Sequence, residues 1–235
     1  MGAVSGSDDV WGTGDDAYAW LFARPREETE LLKGQSMANV CIGVDIGQKV
    51  DPTSICVVEP QERTVDGRQT TTYLVRHLER LALGTPYPRV AERVAEVVAG
   101  VRQKATAGRG ITVFIDATGV GQPIVDLLKA SGVRATPVYF TFGDRRIEQE
   151  DRSVTLGKAF LVSRLQVLLQ CGRILLPKTS EADALARELL DYEIRVDEQA
   201  NEKYGAFRTG VHDDLATALG LATQLEPRRP TITWG

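Results

Sequence analysis

The chain has 235 residues, 43% of them hydrophobic, and a net charge of −4 from 28 Lys and Arg against 32 Asp and Glu, which suits one large or two small globular domains. No stretch approaches the roughly 20 apolar residues that cross a bilayer, and acids and glycines stand at the N-terminus where a signal peptide is basic and then apolar, so no membrane partner and a cytoplasmic location are expected. Two histidines exclude a histidine-rich metal site, and the odd set Cys41, Cys56 and Cys171, widely spaced in apolar runs, reads as reduced core cysteines.

Seven acids and three bases fall within residues 1–38, so the remaining 25 acids and 25 bases balance. The acidity belongs to the N-terminal stretch, and a neutral body can still carry a basic groove facing an acidic centre. Residues 1–38 read as a tail or linker with one short helix over Ala17 to Leu32. The folded body is expected over residues 39–226, with a second tail over 227–235.

Val40 to Val44 and Ile55 to Val58 flank a turn rich in Gly, Asp and Pro, a hairpin of buried strands that stations Asp45 at a strand end. Thr70 to Leu78 alternates as a third antiparallel strand. Arg89 to Lys104 carries Val90, Val94, Val97 and Val101 at spacings of four, three and four, the stripe of an amphipathic helix. Ile111 to Asp116 is another buried strand ending in an acid. Gly119 to Gly121 turns the chain, Pro123 suits the first turn of a helix to Ala130, and Ala135 to Phe140 returns as a strand. This strand, helix, strand unit makes part of the sheet parallel.

Thr141 to Arg152 is polar and reads as a surface loop, and Ser153 to Gln170 as one long helix with Leu161, Leu165 and Leu168 on a stripe. Arg173 to Leu176 is a short edge strand stopped by Pro177. Ser180 to Leu190 is a helix capped by Ser180, and Tyr192 to Thr209 a protruding hairpin with a polar tip from Asp197 to Lys203. Val211 to Leu225, with Ala and Leu on most faces, is a helix laid against the sheet.

If the first and fourth strands are parallel neighbours, Asp45 and Asp116 sit side by side, and a last helix crossing that edge adds Asp213 or Asp214. Each acid alone has an ordinary role, Asp45 and Asp116 in turns and Asp213 with Asp214 at a helix start. Together they need cations, because two carboxylates ~4 Å apart repel by about 4 kcal/mol at an effective dielectric near 20. Mg²⁺ or Mn²⁺ suits a site of carboxylates and waters, and two such ions activate a water and stabilise the leaving oxygen of a phosphodiester. Asp51, in the same hairpin, either supports the site from the next strand or shapes the turn, and the turn is the favoured reading.

Gly43-Val-Asp-Ile-Gly with Asp51-Pro-Thr-Ser-Ile, Phe114-Ile-Asp-Ala-Thr-Gly-Val-Gly-Gln-Pro, and His212-Asp-Asp-Leu-Ala-Thr-Ala-Leu-Gly resemble the nuclease domain of tailed-phage terminase large subunits. The resemblance extends to a lysine-bearing helix over Lys158 to Gln170. It implies an RNase H-like α/β fold, a mixed sheet with three antiparallel strands first and parallel strands after, with helices on both faces. It further implies an endonuclease that cuts concatemeric double-stranded DNA during genome packaging in the host cytoplasm, with two Mg²⁺ or Mn²⁺ ions on Asp45, Asp116 and either Asp213 or Asp214. Lys158, Lys203, Arg208, Arg145 and Arg146 become candidates for phosphate contacts, and a packaging ATPase, a portal and a small terminase subunit become the expected partners. No G-x-x-x-x-G-K-[ST] phosphate loop is present, so no translocase activity is expected of this chain. Three other readings stay open: an actin-like phosphotransferase or ATPase, whose first strand also ends in Asp-x-Gly; a resolvase- or transposase-like nuclease; and a non-catalytic packaging module.

Overall fold

The structure, a computed structural model, describes residues 40–47, 51–65, 68–104, 110–199 and 213–224. The expected tails, the helix over 17–32, the hairpin from residue 200 onward, Lys203, Arg208 and His212 lie outside the described residues.

The sheet grows outward from β1 (Val40–Asp45), which is buried throughout except at Asp45. On one side it pairs antiparallel with β2 (Ser54–Val65), which pairs antiparallel with β3 (Arg68–Arg80). On the other side β1 pairs parallel with β4 (Ile111–Asp116), the neighbour relation expected from the two acid-ended strands. β5 (Ala135–Thr141), β6 (Arg146–Glu148), β7 (Val154–Gly157) and β8 (Ile174–Leu175) complete an eight-stranded sheet in the order β6-β7-β5-β4-β1-β2-β3-β8. β4, β5 and β7 run parallel, so the mixed sheet has the expected antiparallel and parallel halves.

Strand alternation divides the core in two. Val40, Ile42, Val44, Val113 and Ile115 face α1 (Tyr87–Lys104) and α2 (Gln122–Ala130). Cys41, Phe114, Tyr73 and Val138 face α3 (Lys158–Gln170), α4 (Ser180–Gln199) and α5 (Asp214–Ala222). Gly43 belongs by parity to this second face, and a β-carbon there would lie 2.0 Å from the Ala218 carbonyl oxygen and 2.5 Å from the Ala222 nitrogen. Only glycine lets α5 rest on the backbone of β1, which brings the head of α5 to the acid-bearing edge.

The structure corrects several boundaries. The segment expected as a loop over 141–152 contains β6, and Val154 to Gly157 is a strand rather than the first turn of α3. Pairing with β5 and β6 outweighs the helical stripe there, and Val154 and Thr155 are β-branched. The strand ends at Gly157, where only glycine fits, because a β-carbon would meet the Gly143 carbonyl oxygen at 1.9 Å. α4 is capped by Thr179, whose Oγ1 accepts the Ala182 N–H at 3.2 Å, not by Ser180. It continues to Gln199, so the first arm of the expected hairpin is helical; Ala186, Leu190 and Ile194 keep a four-residue spacing with no Gly or Pro to break it. α5 begins at Asp214, later than the expected Val211. Cys41 and Cys56 are buried and in no disulfide, whereas Cys171 is exposed where α3 ends. Among the described residues no helix is long and apolar enough to cross a membrane.

Candidate active site

Asp45 shares the parity of Cys41 and Gly43, and Asp116 that of Phe114, so both acids belong to the face covered by α5. They lie one step beyond the Val44–Ile115 pair of the parallel ladder, level with each other at the strand ends. Gly47, just past Asp45, packs on the returning chain, where a β-carbon would meet the Asp51 carbonyl at 2.1 Å, and its N–H donates to Thr53 Oγ1 at 3.0 Å. Asp51 itself is exposed at that turn, the shaping position expected for it.

Asp116 is held by the turn that follows it. The Thr118 N–H donates to Asp116 Oδ1 at 2.8 Å, and Thr118 Oγ1 accepts the Phe140 N–H of β5 at 2.8 Å. Gly119 and Gly121, with φ of 84° and 60°, reverse the chain into α2. The turn role weighed for Asp116 is therefore real, and it occupies one carboxylate oxygen.

Asp213 and Asp214 arrive on α5, Asp213 half-buried as the N-cap and Asp214 almost fully buried in the first turn. The other three aspartates all act on Asp45, and Asp213 also acts on Asp116. Burial first, then the negative charges of Asp116, Asp214 and Asp213, push the Asp45 carboxyl well above the usual carboxylate range, while Lys158 opposes the rise. Burial likewise raises Asp116, against hydrogen bonds from Thr118 and the charge of Lys158 and with the help of Asp213. Lys158, the first residue of α3, also places its Nζ 5.7 Å from the centroid of the Phe140 ring. Of the three basic candidates among the described residues, Lys158, Arg145 and Arg146, it is the one whose charge reaches the acids. Arg145 is exposed with its Nε 3.9 Å from Asp144, and Arg146 pairs with Glu148 at 2.8 Å.

Two residues not singled out from sequence complete the edge. Arg80, the last residue of β3, brings its Nε 3.6 Å from Asp214 Oδ2 and forms a close ion pair with Glu188 of α4. The fold thus supplies two cations of its own, Lys158 and Arg80, to a cluster that sequence reasoning had balanced with metal alone. The signal for Glu188 was slight: an acid between Leu185 and Leu189 on an otherwise apolar side of α4. Among the described residues no three His, Cys, Asp or Glu side chains close into a ready-made metal cage. Their chemistry fits Mg²⁺ or Mn²⁺ all the same, since these ions take hard oxygen donors, often one or two carboxylates with waters. A cleft of about 660 Å³ between Val57, Arg76, Arg93 and Val97 contains none of the four aspartates.

No protein-family model matches the chain, and no curated protein matches it. Among solved structures, a human cytomegalovirus terminase nuclease domain soaked with Mn superposes with a TM-score of 0.50 at 13% identity, over 85% of this chain and 93% of that one. The chain shares the fold of that terminase nuclease domain. A second similar structure is the large terminase nuclease from thermophilic phage G20c, at a TM-score of 0.48 and 24% identity, over 80% of this chain and 83% of that one. In the terminase-nuclease fold of the present chain, Asp45, Asp116 and the head of α5 meet at one edge of the sheet.

Proposed function

We infer that the chain is a metal-dependent DNA endonuclease acting in genome packaging. The observation that carries this reading is the convergence of Asp45, Asp116, Asp213 and Asp214 at one sheet edge, where the last three act electrostatically on the first. Asp45 and Asp116, with Asp213 or Asp214, would hold Mg²⁺ or Mn²⁺, two ions in the fullest form. When bound, these supply an activated water and charge neutralisation at the leaving oxygen.

The remaining work falls to the chain itself. Thr118 fixes Asp116 through its backbone N–H. Lys158, beside the acids, offsets their charge and meets a scissile phosphate, which would otherwise be repelled by four carboxylates. Attack by water at phosphorus forms one P–O bond and breaks another, leaving a phosphate monoester and a hydroxyl. Double-stranded DNA is the substrate, and a packaging ATPase, portal and small terminase subunit are the partners that go with this function. Little sequence preference is expected, since phosphate contacts carry no sequence information.

The test is incubation of supercoiled plasmid with the full chain and Mg²⁺ or Mn²⁺. Wild type should nick the plasmid only with metal, and Asp45→Ala should not nick it at all. Metal-independent nicking, or nicking that survives the substitution, would reject the nuclease. ATP binding in place of nicking would favour the phosphotransferase reading.

A further inference from the structure

We propose that Glu188 is a positioning residue, which caps α5 from outside so that the acids at its head are presented to β1 and β4. The proposal rests on the nuclease reading above. Asp213 is the N-cap of α5 but its side chain makes no capping hydrogen bond. An N-cap side chain ordinarily takes the amide two or three residues on. Here the amide three residues on, that of Ala216, donates to Glu188 Oε2 at 3.0 Å in a buried bond. The other oxygen of Glu188 is paired with Arg80, whose Nε is 3.6 Å from Asp214 Oδ2.

One carboxylate on α4 therefore satisfies the first turn of α5, and it also pairs with Arg80, whose guanidinium lies beside Asp214. The Glu188 side chain is 8% exposed and that of Asp214 is 3% exposed, so the two carboxylates are shielded from water, while Arg80 between them is 30% exposed. Asp213 is relieved of the capping role that its position would otherwise give it. Its charge acts on both Asp45 and Asp116. Groups that orient metal-binding acids typically govern metal affinity by about 10- to 100-fold.

The experiment compares the full-length wild type with Glu188→Ala, Glu188→Gln and the core control Val98→Ala, which lies in α1 on the opposite face of the sheet. Three quantities are read: Mn²⁺ affinity by calorimetry, the Mn²⁺ concentration for half-maximal plasmid nicking, and metal-free thermal unfolding. Glu188→Ala should bind Mn²⁺ about 10-fold more weakly and need correspondingly more Mn²⁺, with its KM for DNA unchanged. Glu188→Gln, which keeps an acceptor for Ala216 but loses the charge opposite Arg80, should fall between Glu188→Ala and wild type. It decides the matter alone if the alanine variant does not fold. Val98→Ala should unfold at lower temperature yet bind Mn²⁺ as wild type does. Wild-type Mn²⁺ affinity in the folded Glu188 variants, or an equal loss in Val98→Ala, overturns the positioning role while leaving the nuclease intact. A wild type that neither binds Mn²⁺ nor nicks DNA overturns both.

Discussion

Gly43 and Ala218 touch backbone to backbone: a β-carbon on Gly43 would stand 2.0 Å from the Ala218 carbonyl oxygen. This contact seats α5 on β1 and fixes how far Asp213 and Asp214 stand from Asp45. Gly43→Ala has no flexible neighbour to push aside, so α5 must shift. The expected cost is about 1–3 kcal/mol of unfolding free energy, measured by urea denaturation, together with loss of metal-dependent cleavage. Wild-type stability and cleavage in this variant would mean that α5 does not depend on the contact.

The raised carboxyls of Asp45 and Asp116 give the metal-free protein an uncommon pH dependence. Raised values mean that the folded state holds protons that the unfolded chain has released. The stabilising contribution is complete below the ordinary carboxylate pKa of about 4 and is lost as pH rises through the elevated folded values. Metal-free wild type should therefore lose melting temperature from mildly acidic toward neutral pH, and Asp45→Asn should flatten that decline. Added Mn²⁺ should reverse it, because metal binds the ionised form. Parallel pH profiles for wild type and Asp45→Asn would show that Asp45 is not the titrating group.

Lys158 opposes the rise at both Asp45 and Asp116. Lys158→Met removes that charge but keeps most of the aliphatic stem that lies toward Phe140. Both carboxyls should then rise further, and the pH at which Mn²⁺ binding reaches half its maximum should move upward. Calorimetry across a pH series reads the shift. An unmoved profile would confine Lys158 to a phosphate contact or to packing.

Much of this site was readable from residues because strand ends are well marked. Asp45 and Asp116 each close an apolar run before Gly-rich chain, and the strand, helix, strand unit required the parallel pairing that sets them side by side. Asp213 and Asp214 were marked by the apolar helix they open. Glu188 was hidden because one acid in an amphipathic helix looks like its solvated face; only α5 packed across α4 makes it a buried acceptor. Arg80 was hidden because β3 runs two residues past its alternating stretch. The strand Val154–Gly157 was absorbed into a helix because its Val and Leu continue the stripe of α3, and pairing with β5, distant in sequence, decided the outcome.

Binding to DNA should be weak and steeply dependent on salt, because residues 39–235 have no net charge and contacts are expected at phosphates. If about three phosphates are neutralised, log K against log salt should have a slope near −3, from roughly −0.9 per contact. Fluorescence anisotropy with two unrelated duplexes should give equal affinities at each salt concentration. Salt-independent binding, or strong preference for one duplex, would contradict phosphate-only recognition.

The central claim is that the acids at the ends of β1 and β4 and at the head of α5 form one divalent-metal centre. An anomalous difference map from crystals soaked in Mn²⁺ tests it most directly. The account predicts manganese peaks coordinated by Asp45 and Asp116, with Asp213 or Asp214 on the same ion or its neighbour. Manganese bound elsewhere, with no peak at Asp45 and Asp116, would contradict it.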